Sequence, residues 1–260
     1  MANSNVTKRK REPIGLVDAK VAVDLATAQS YSENVFLFVP NIIGYTRIIL
    51  AGLSLHYMSY HPKYCTAAYV VSCLLDAVDG HAARALGQSS KFGAVLDMVT
   101  DRCTTSCLLC YLCIAYPTYA IFFQFLITLD FSSHYMHMYS SLVTGSRSHK
   151  LVTSDVSRIL WLYYNDSRTL FLICTGNEMF FVALYLVKWW STPLPFDFST
   201  VPLVGGWLVG LTYAQAIAAL SAPVCALKNV INLVQLWKAS KILVGVDLAE
   251  RARARQEKAQ

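Results

Sequence analysis

Asp76-Ala77-Val78-Asp79-Gly80-His81-Ala82-Ala83-Arg84 is followed, after eight residues, by Gly93-Ala94-Val95-Leu96-Asp97-Met98-Val99-Thr100-Asp101. Four carboxylates therefore stand within sequence otherwise apolar enough to cross a bilayer. Asp76 and Asp79 sit at i and i+3, Asp97 and Asp101 at i and i+4, so each pair shares one face of a helix. The short Leu86 to Phe92 segment predicts a turn that folds one helix back beside the other and lets the two faces meet. An ionised carboxylate at membrane depth costs roughly 2.5–3.5 kcal/mol, and four of them repel one another. Something positive must stand among them. Carboxylate oxygens are hard ligands and select hard cations, so one or two Mg²⁺ or Mn²⁺ ions suit the cluster. A packing patch without chemistry would not require four acids, an Arg and two Gly in this order.

The rest of the composition agrees with a membrane setting. The 260 residues are 55% hydrophobic and only 15% charged, which points to a membrane protein with one main domain. The net charge of +6 is concentrated in tails and loops. With no soluble basic face to carry it, that charge excludes nucleic acid as a partner. Cys103, Cys107, Cys110 and Cys113 have metal-like spacing but fall inside an apolar run, where cysteine behaves as a small hydrophobe. They read as packing residues.

Six stretches of about twenty residues, the length a bilayer core requires, fall near 35–58, 64–86, 93–116, 117–143, 168–190 and 207–237. Six spans put both termini on one side. The basic arm Lys8-Arg9-Lys10-Arg11, the Arg84–Lys91 turn, the 144–168 loop and the Arg251-Ala252-Arg253-Ala254-Arg255 tail all fall on that same side. The positive-inside rule makes it the cytosol, and the acidic cluster faces it too. Residues 15–30 predict a helix lying on the membrane surface. The expected organisation is an arm and surface helix over 1–33, a six-helix domain over 34–240 and a basic cytosolic tail over 241–260, helical in propensity and either solvated or resting on anionic lipid.

Several interior polar residues lack an assigned chemistry at this stage. Arg47 either pairs with an interior acid or meets substrate. Asp130, His134 and His137 share one face and could bind zinc, although a polar lining or hydrogen bonds between helices suits them better. Asn177-Glu178 faces the interior. His149 and Lys150, in Gly145-Ser146-Arg147-Ser148-His149-Lys150, are either snorkelling side chains or a site for a polar acceptor or phosphate.

The spacing D-x2-D-G-x2-A-R-x8-G-x3-D-x3-D resembles the motif of the CDP-alcohol phosphotransferase family, and no motif position departs from it. Asn34 to Asn41, Gly44-Tyr45-Thr46-Arg47, Leu75 to Leu86, Leu96 to Arg102, Ser148-His149-Lys150 and Gly176-Asn177-Glu178 resemble the eukaryotic branch of that family whose acceptor is myo-inositol. The likeness runs from about 34 to 180. It implies an all-α membrane protein with six transmembrane helices of the CDP-alcohol phosphotransferase type and an N-terminal interfacial helix. It also implies transfer of a phosphatidyl group from CDP-diacylglycerol to myo-inositol, with release of CMP. Two ions are implied, one held by Asp76, Asp79 and Asp97 and the other by Asp76, Asp97 and Asp101. Asp101 would double as general base, while Gly80, Arg84 and Ser90 would hold the CDP moiety. Asn41, Arg47, His149 and Lys150 are candidate acceptor or cavity contacts. The same likeness implies a homodimer in the endoplasmic reticulum membrane.

Residue chemistry alone reaches metal-dependent chemistry or ion handling at the cytosolic face, and it does not reach inositol. Within the class, glycerol phosphate, serine or choline would use the same metal site. A cation pathway would also carry intramembrane acids, but it has no use for the Gly80-x2-Ala83-Arg84 turn and commonly shows inverted repeats, which this sequence lacks. A scaffold would not keep all four acids.

Overall fold

The structure is a computed structural model that describes residues 19–27, 33–144, 166–195 and 210–259. Helix α1 spans Ala19–Thr27, and a single 3₁₀ turn at Val35–Leu37 leads into α2, Val39–Tyr57. Then come α3 (Pro62–Ala85), α4 (Lys91–Ala115), a 3₁₀ turn at Pro117–Tyr119 and α5 (Ala120–Val143). The last two helices among the described residues are α6 (Ser167–Val187) and α7 (Tyr213–Ala259). Helices α2 to α7 are the six long helices expected of the membrane domain. Even the shortest, α2 at 19 residues, reaches about 28 Å at 1.5 Å per residue, close to the roughly 30 Å of bilayer hydrocarbon.

Local sequence accounts for the helix ends. Proline opens both α2 and α3, where a missing N–H costs nothing. Ser90 caps α4, its hydroxyl accepting from the Gly93 N–H at 2.9 Å. Asp166 caps α6, its carboxylate accepting from the Arg168 and Thr169 N–H groups at 3.2 Å each. Between α3 and α4, Gly87 takes φ +66°, and the Gln88 N–H donates back to the Ala83 carbonyl at 2.9 Å. That is the six-to-one bond of a Schellman ending, which calls for a left-handed residue such as Gly. The turn links the two carboxylate-bearing helices, each of which packs on α2.

The bundle buries many polar groups beside an apolar core and turns large apolar side chains outward. Ile114, Ile121 and Leu220 are about 80% exposed, whereas Asn41, Arg47, Ser54, Lys228, Asn232 and Gln235 are buried. This arrangement suits a chain whose outer surface meets lipid. By length and hydropathy α4, α6 and α7 qualify as membrane spans. The others fall short because they carry the interior's polar groups: Asn41 and Arg47 in α2, Asp76 and Asp79 in α3, Asp130, His134 and His137 in α5. An apolar core of Met58, Tyr69, Leu109, Leu112, Phe123, Phe181 and Tyr185 lies beside the polar interior.

One expectation differs from the structure. Cys65 and Cys225 are buried, but Cys103, Cys107 and Cys110 are exposed. Those three face outward from α4, a position a weakly polar thiol tolerates in an apolar surround. Helix α7 runs unbroken through Pro223 and past residue 240 to Ala259. At 47 residues it is about 70 Å long, more than twice the hydrocarbon thickness. Helix α1 falls within the expected surface helix, with Val21, Val23 and Leu25 exposed.

Helices α6 and α7 pack closely because Gly176 has no side chain. A Cβ there would lie 2.5 Å from Val224 Cγ1, and a β-branched side chain in a helix cannot rotate clear. Gly176→Ala is expected to destabilise the protein by about 1–3 kcal/mol, read as a lower Tm in detergent. Val224→Ala in the same chain should recover most of the loss.

Candidate active site

The four acids converge on Arg47 of α2. Its Nη2 lies 2.8 Å from Asp76 Oδ1, and its Nη1 lies 2.8 Å from Asp79 Oδ2 and 2.7 Å from Asp97 Oδ1. Nη2 also donates to Asp101 Oδ1. One guanidinium thus touches both acids of each helix pair. Its planar fork of donors makes this possible where a lysine ammonium could not reach all four. The two roles open for Arg47 in sequence were pairing and substrate contact, and pairing describes what the side chain touches.

Arg47 forms the floor of the cluster rather than its lid. Its side chain is 3% exposed, against 42% for Asp76 and 47% for Asp97. The carboxylates therefore keep an open face. Four negative charges meet one buried positive charge, and Arg102, 3.7 Å from Asp101 Oδ2, is shared with Asp130 at 3.1 Å. Negative charge remains in excess. Among the described residues, Asp76, Asp97 and Asp101 form the group able to hold a metal ion, with one oxygen from each within 4.8 Å of the others. Ligands across a Mg²⁺ ion bound at about 2.1 Å stand about 4.2 Å apart, so small side-chain movements would close the set. Hard anionic oxygens, surplus charge and an open face fit a divalent cation. Asp79 is more buried, and it shares Arg47 Nη1 with Asp97.

Beside the acids lies a cleft at the ends of α2, α3 and α4. Asn41, Asp79, Gly80, Arg84, Ser90 and Asp97 all line it. Arg84 folds back over Gly80, where a Cβ would stand 3.5 Å from Arg84 Nη1. Asn41 donates to the Val35 carbonyl at 2.6 Å and packs its amide oxygen against Gly93. His149 and Lys150 lie outside the described residues.

Some residues at the site were not singled out in sequence. Gln88 lines the cleft, and its amide oxygen accepts from the Val39 N–H at 2.9 Å, tying the α3–α4 turn to the start of α2. Its only signal was a polar residue directly after the turn glycine. Lys228, Asn232 and Gln235 are buried on one face of α7, at offsets of four and three within an apolar span. Asn232 donates to Asp130 Oδ1 at 3.0 Å, and Arg102 Nη1 lies 2.7 Å from His134 Nε2. Asp130 and His134 thus take part in hydrogen bonds between helices, as their spacing suggested, and the metal-ligand group among the described residues does not include them.

Comparison with known proteins bears on this geometry. A profile of the CDP-alcohol phosphatidyltransferase family matches residues 37–218. A Schizosaccharomyces pombe protein named CDP-diacylglycerol–inositol 3-phosphatidyltransferase is 52% identical over 86% of this chain and 95% of its own length. A Homo sapiens protein of the same name is 45% identical over 85% of this chain and 98% of its own. One from Candida albicans is 43% identical over 92% and 96%. No solved structure matches the chain.

If Arg47 is the counter-charge of the cluster, its loss must be felt as stability. Arg47→Gln is expected to cost about 3–5 kcal/mol, the range for removing one partner of a buried ionic group. The readout is the Tm in detergent with a chelator present. Added Mn²⁺ should raise the Tm of Arg47→Gln by more than that of wild type, because the unpaired carboxylates then depend on the added cation.

Proposed function

The chain belongs to the CDP-alcohol phosphatidyltransferase family, and on that premise we propose that it transfers the phosphatidyl group of CDP-diacylglycerol to myo-inositol, giving phosphatidylinositol and CMP. The observation that carries this reading is the convergence of four carboxylates with an open face beside a cleft lined by Gly80, Arg84 and Ser90. The names of relatives at 43–52% identity, whose lengths this chain nearly fills, supply the acceptor.

In this reading the cleft takes the CDP moiety. Gly80 leaves the backbone bare where the nucleotide approaches. The Arg84 fork pairs with a phosphate, and the Ser90 hydroxyl, already accepting from Gly93, keeps its own proton to donate. Asp76, Asp79 and Asp97 would hold one Mg²⁺ or Mn²⁺ ion, and Asp76, Asp97 and Asp101 a second. Bound there, the ions would neutralise the diphosphate and stabilise CMP as it leaves. Asp101 accepts the proton of the inositol hydroxyl as that oxygen forms its bond to the phosphatidyl phosphorus and the bond to CMP breaks. A carboxylate is a weak base, so proton removal is late, keeping pace with bond formation. Arg47 donates to Asp101 Oδ1, and Oδ2, 3.7 Å from Arg102 Nη2, is the oxygen that takes the incoming proton.

The same proposal divides the chain into an arm and surface helix over 1–33, a catalytic domain over 34–240 and a tail over 241–260. It puts the protein in the endoplasmic reticulum membrane as a homodimer, with both termini and the cleft in the cytosol. The clustered cations of the arm, the loops and the tail support that orientation, and the open cleft would let a soluble nucleotide leave into water.

The test is CMP release from CDP-diacylglycerol in detergent with Mn²⁺, with and without myo-inositol. Release should require inositol, and Asp101→Asn should lower it by about 10²–10⁴-fold, the range for a positioned general base. If serine or glycerol phosphate supports release and inositol does not, the named acceptor is wrong. If no acceptor works and Asp101→Asn matches wild type, the phosphotransfer reading falls.

A further inference from the structure

Glu178 stands in the interior of α6, and the chemistry above does not use it. Its two oxygens go to two different helices. Oε2 accepts from the Tyr69 hydroxyl of α3 at 2.6 Å, and Oε1 accepts from the Thr105 hydroxyl of α4 at 2.9 Å. Tyr69 lies seven residues before Asp76, and Thr105 lies four after Asp101 and eight after Asp97. At 3.6 residues per turn those offsets put each hydroxyl on the same face of its helix as the carboxylates. A single carboxylate therefore joins the two helix faces that carry the acids.

The join matters because α3 and α4 make little close backbone contact with each other, whereas each packs on α2, and α4 also packs on α6. Their relative position depends on what lies between them. At the level of the acids that is Arg47, reaching from α2. One to two turns further along, it is Glu178, reaching from α6. Direct hydrogen-bond partners of metal ligands are worth roughly 10–100-fold in metal affinity when removed, and Glu178 acts one step further out, through the helices that carry the ligands.

We propose that Glu178 is a positioning residue, which bridges Tyr69 and Thr105 to set the spacing between the carboxylate-bearing helices and so sets the affinity of the acid cluster for its divalent ion. The inference rests on the metal reading of that cluster. It gives Glu178 no contact with substrate, and its effect is confined to the geometry of other side chains.

The experiment is Mn²⁺ binding to the purified full chain in detergent, followed by the electron paramagnetic resonance signal of free Mn²⁺, alongside the KM for myo-inositol at saturating Mn²⁺. Glu178→Ala should weaken Mn²⁺ binding several-fold, up to the roughly tenfold lower end for a direct hydrogen-bond partner, and leave the inositol KM little changed. Glu178→Gln should keep most of the affinity, since its amide oxygen accepts from Tyr69 and its NH₂ donates to the Thr105 oxygen. Unchanged Mn²⁺ affinity in Glu178→Ala would overturn the proposal, as would a Glu178→Gln variant as weak as Glu178→Ala. If Glu178→Ala does not fold, the double variant Tyr69→Phe, Thr105→Val removes both hydroxyls and nothing else of size. A several-fold loss of Mn²⁺ affinity there supports the bridge, and none overturns it. Wild-type protein that binds no Mn²⁺ would instead refute the metal reading itself, a result distinct from all of these.

Discussion

Like charges in a low-dielectric interior repel strongly, and four carboxylates meeting between helices need a counter-charge before any chemistry is at issue. Arg47 supplies it. Because one guanidinium reaches all four acids, α2, α3 and α4 are bound to a common point, and the geometry of the cleft follows from that point. The surplus of negative charge is what makes the open face a place for cations. Structure and proposed chemistry thus share a cause: the arrangement is incomplete in charge on the side that substrate approaches.

Around this point the bundle exposes apolar side chains and buries polar ones to a degree a soluble protein does not. Lipid is as apolar as any side chain, so outward Ile and Leu cost nothing, and polar groups gather where they can satisfy one another. The Arg102, Asp130, His134 and Asn232 contacts and the Glu178 bridge are cases of this rule. Both tie neighbouring helices together without relying on a hydrophobic driving force.

Much of this was legible in sequence, for identifiable reasons. Helix length and the i+3 and i+4 spacing of the acids are local, so they survive any tertiary arrangement. The cleft residues Gly80, Arg84 and Ser90 were legible through resemblance, and the structure gathers all three. What stayed hidden depends on contacts distant in sequence. Arg47 stands 32, 50 and 54 residues from three of its acids, and no periodicity encodes that meeting. Gln88 bonds to a backbone N–H 49 residues away. The exposure of Cys103, Cys107 and Cys110 was not legible because an apolar helix looks alike whether it faces a neighbour or lipid. Helix α7 continues past residue 240 because helix propensity does not change there, although composition does.

Chain order adds a consequence for how the protein is made. Synthesis runs from the N-terminus, and early segments take up structure first. Arg47 is therefore present before any of the four acids has been translated. The acids then arrive in two instalments, one on each side of the Gly87 turn, and α3, which brings the first, packs extensively on α2. A nascent chain in this order has a guanidinium already in place when each acid pair emerges. The reverse order would leave naked carboxylates exposed at the translocation machinery until the guanidinium appeared.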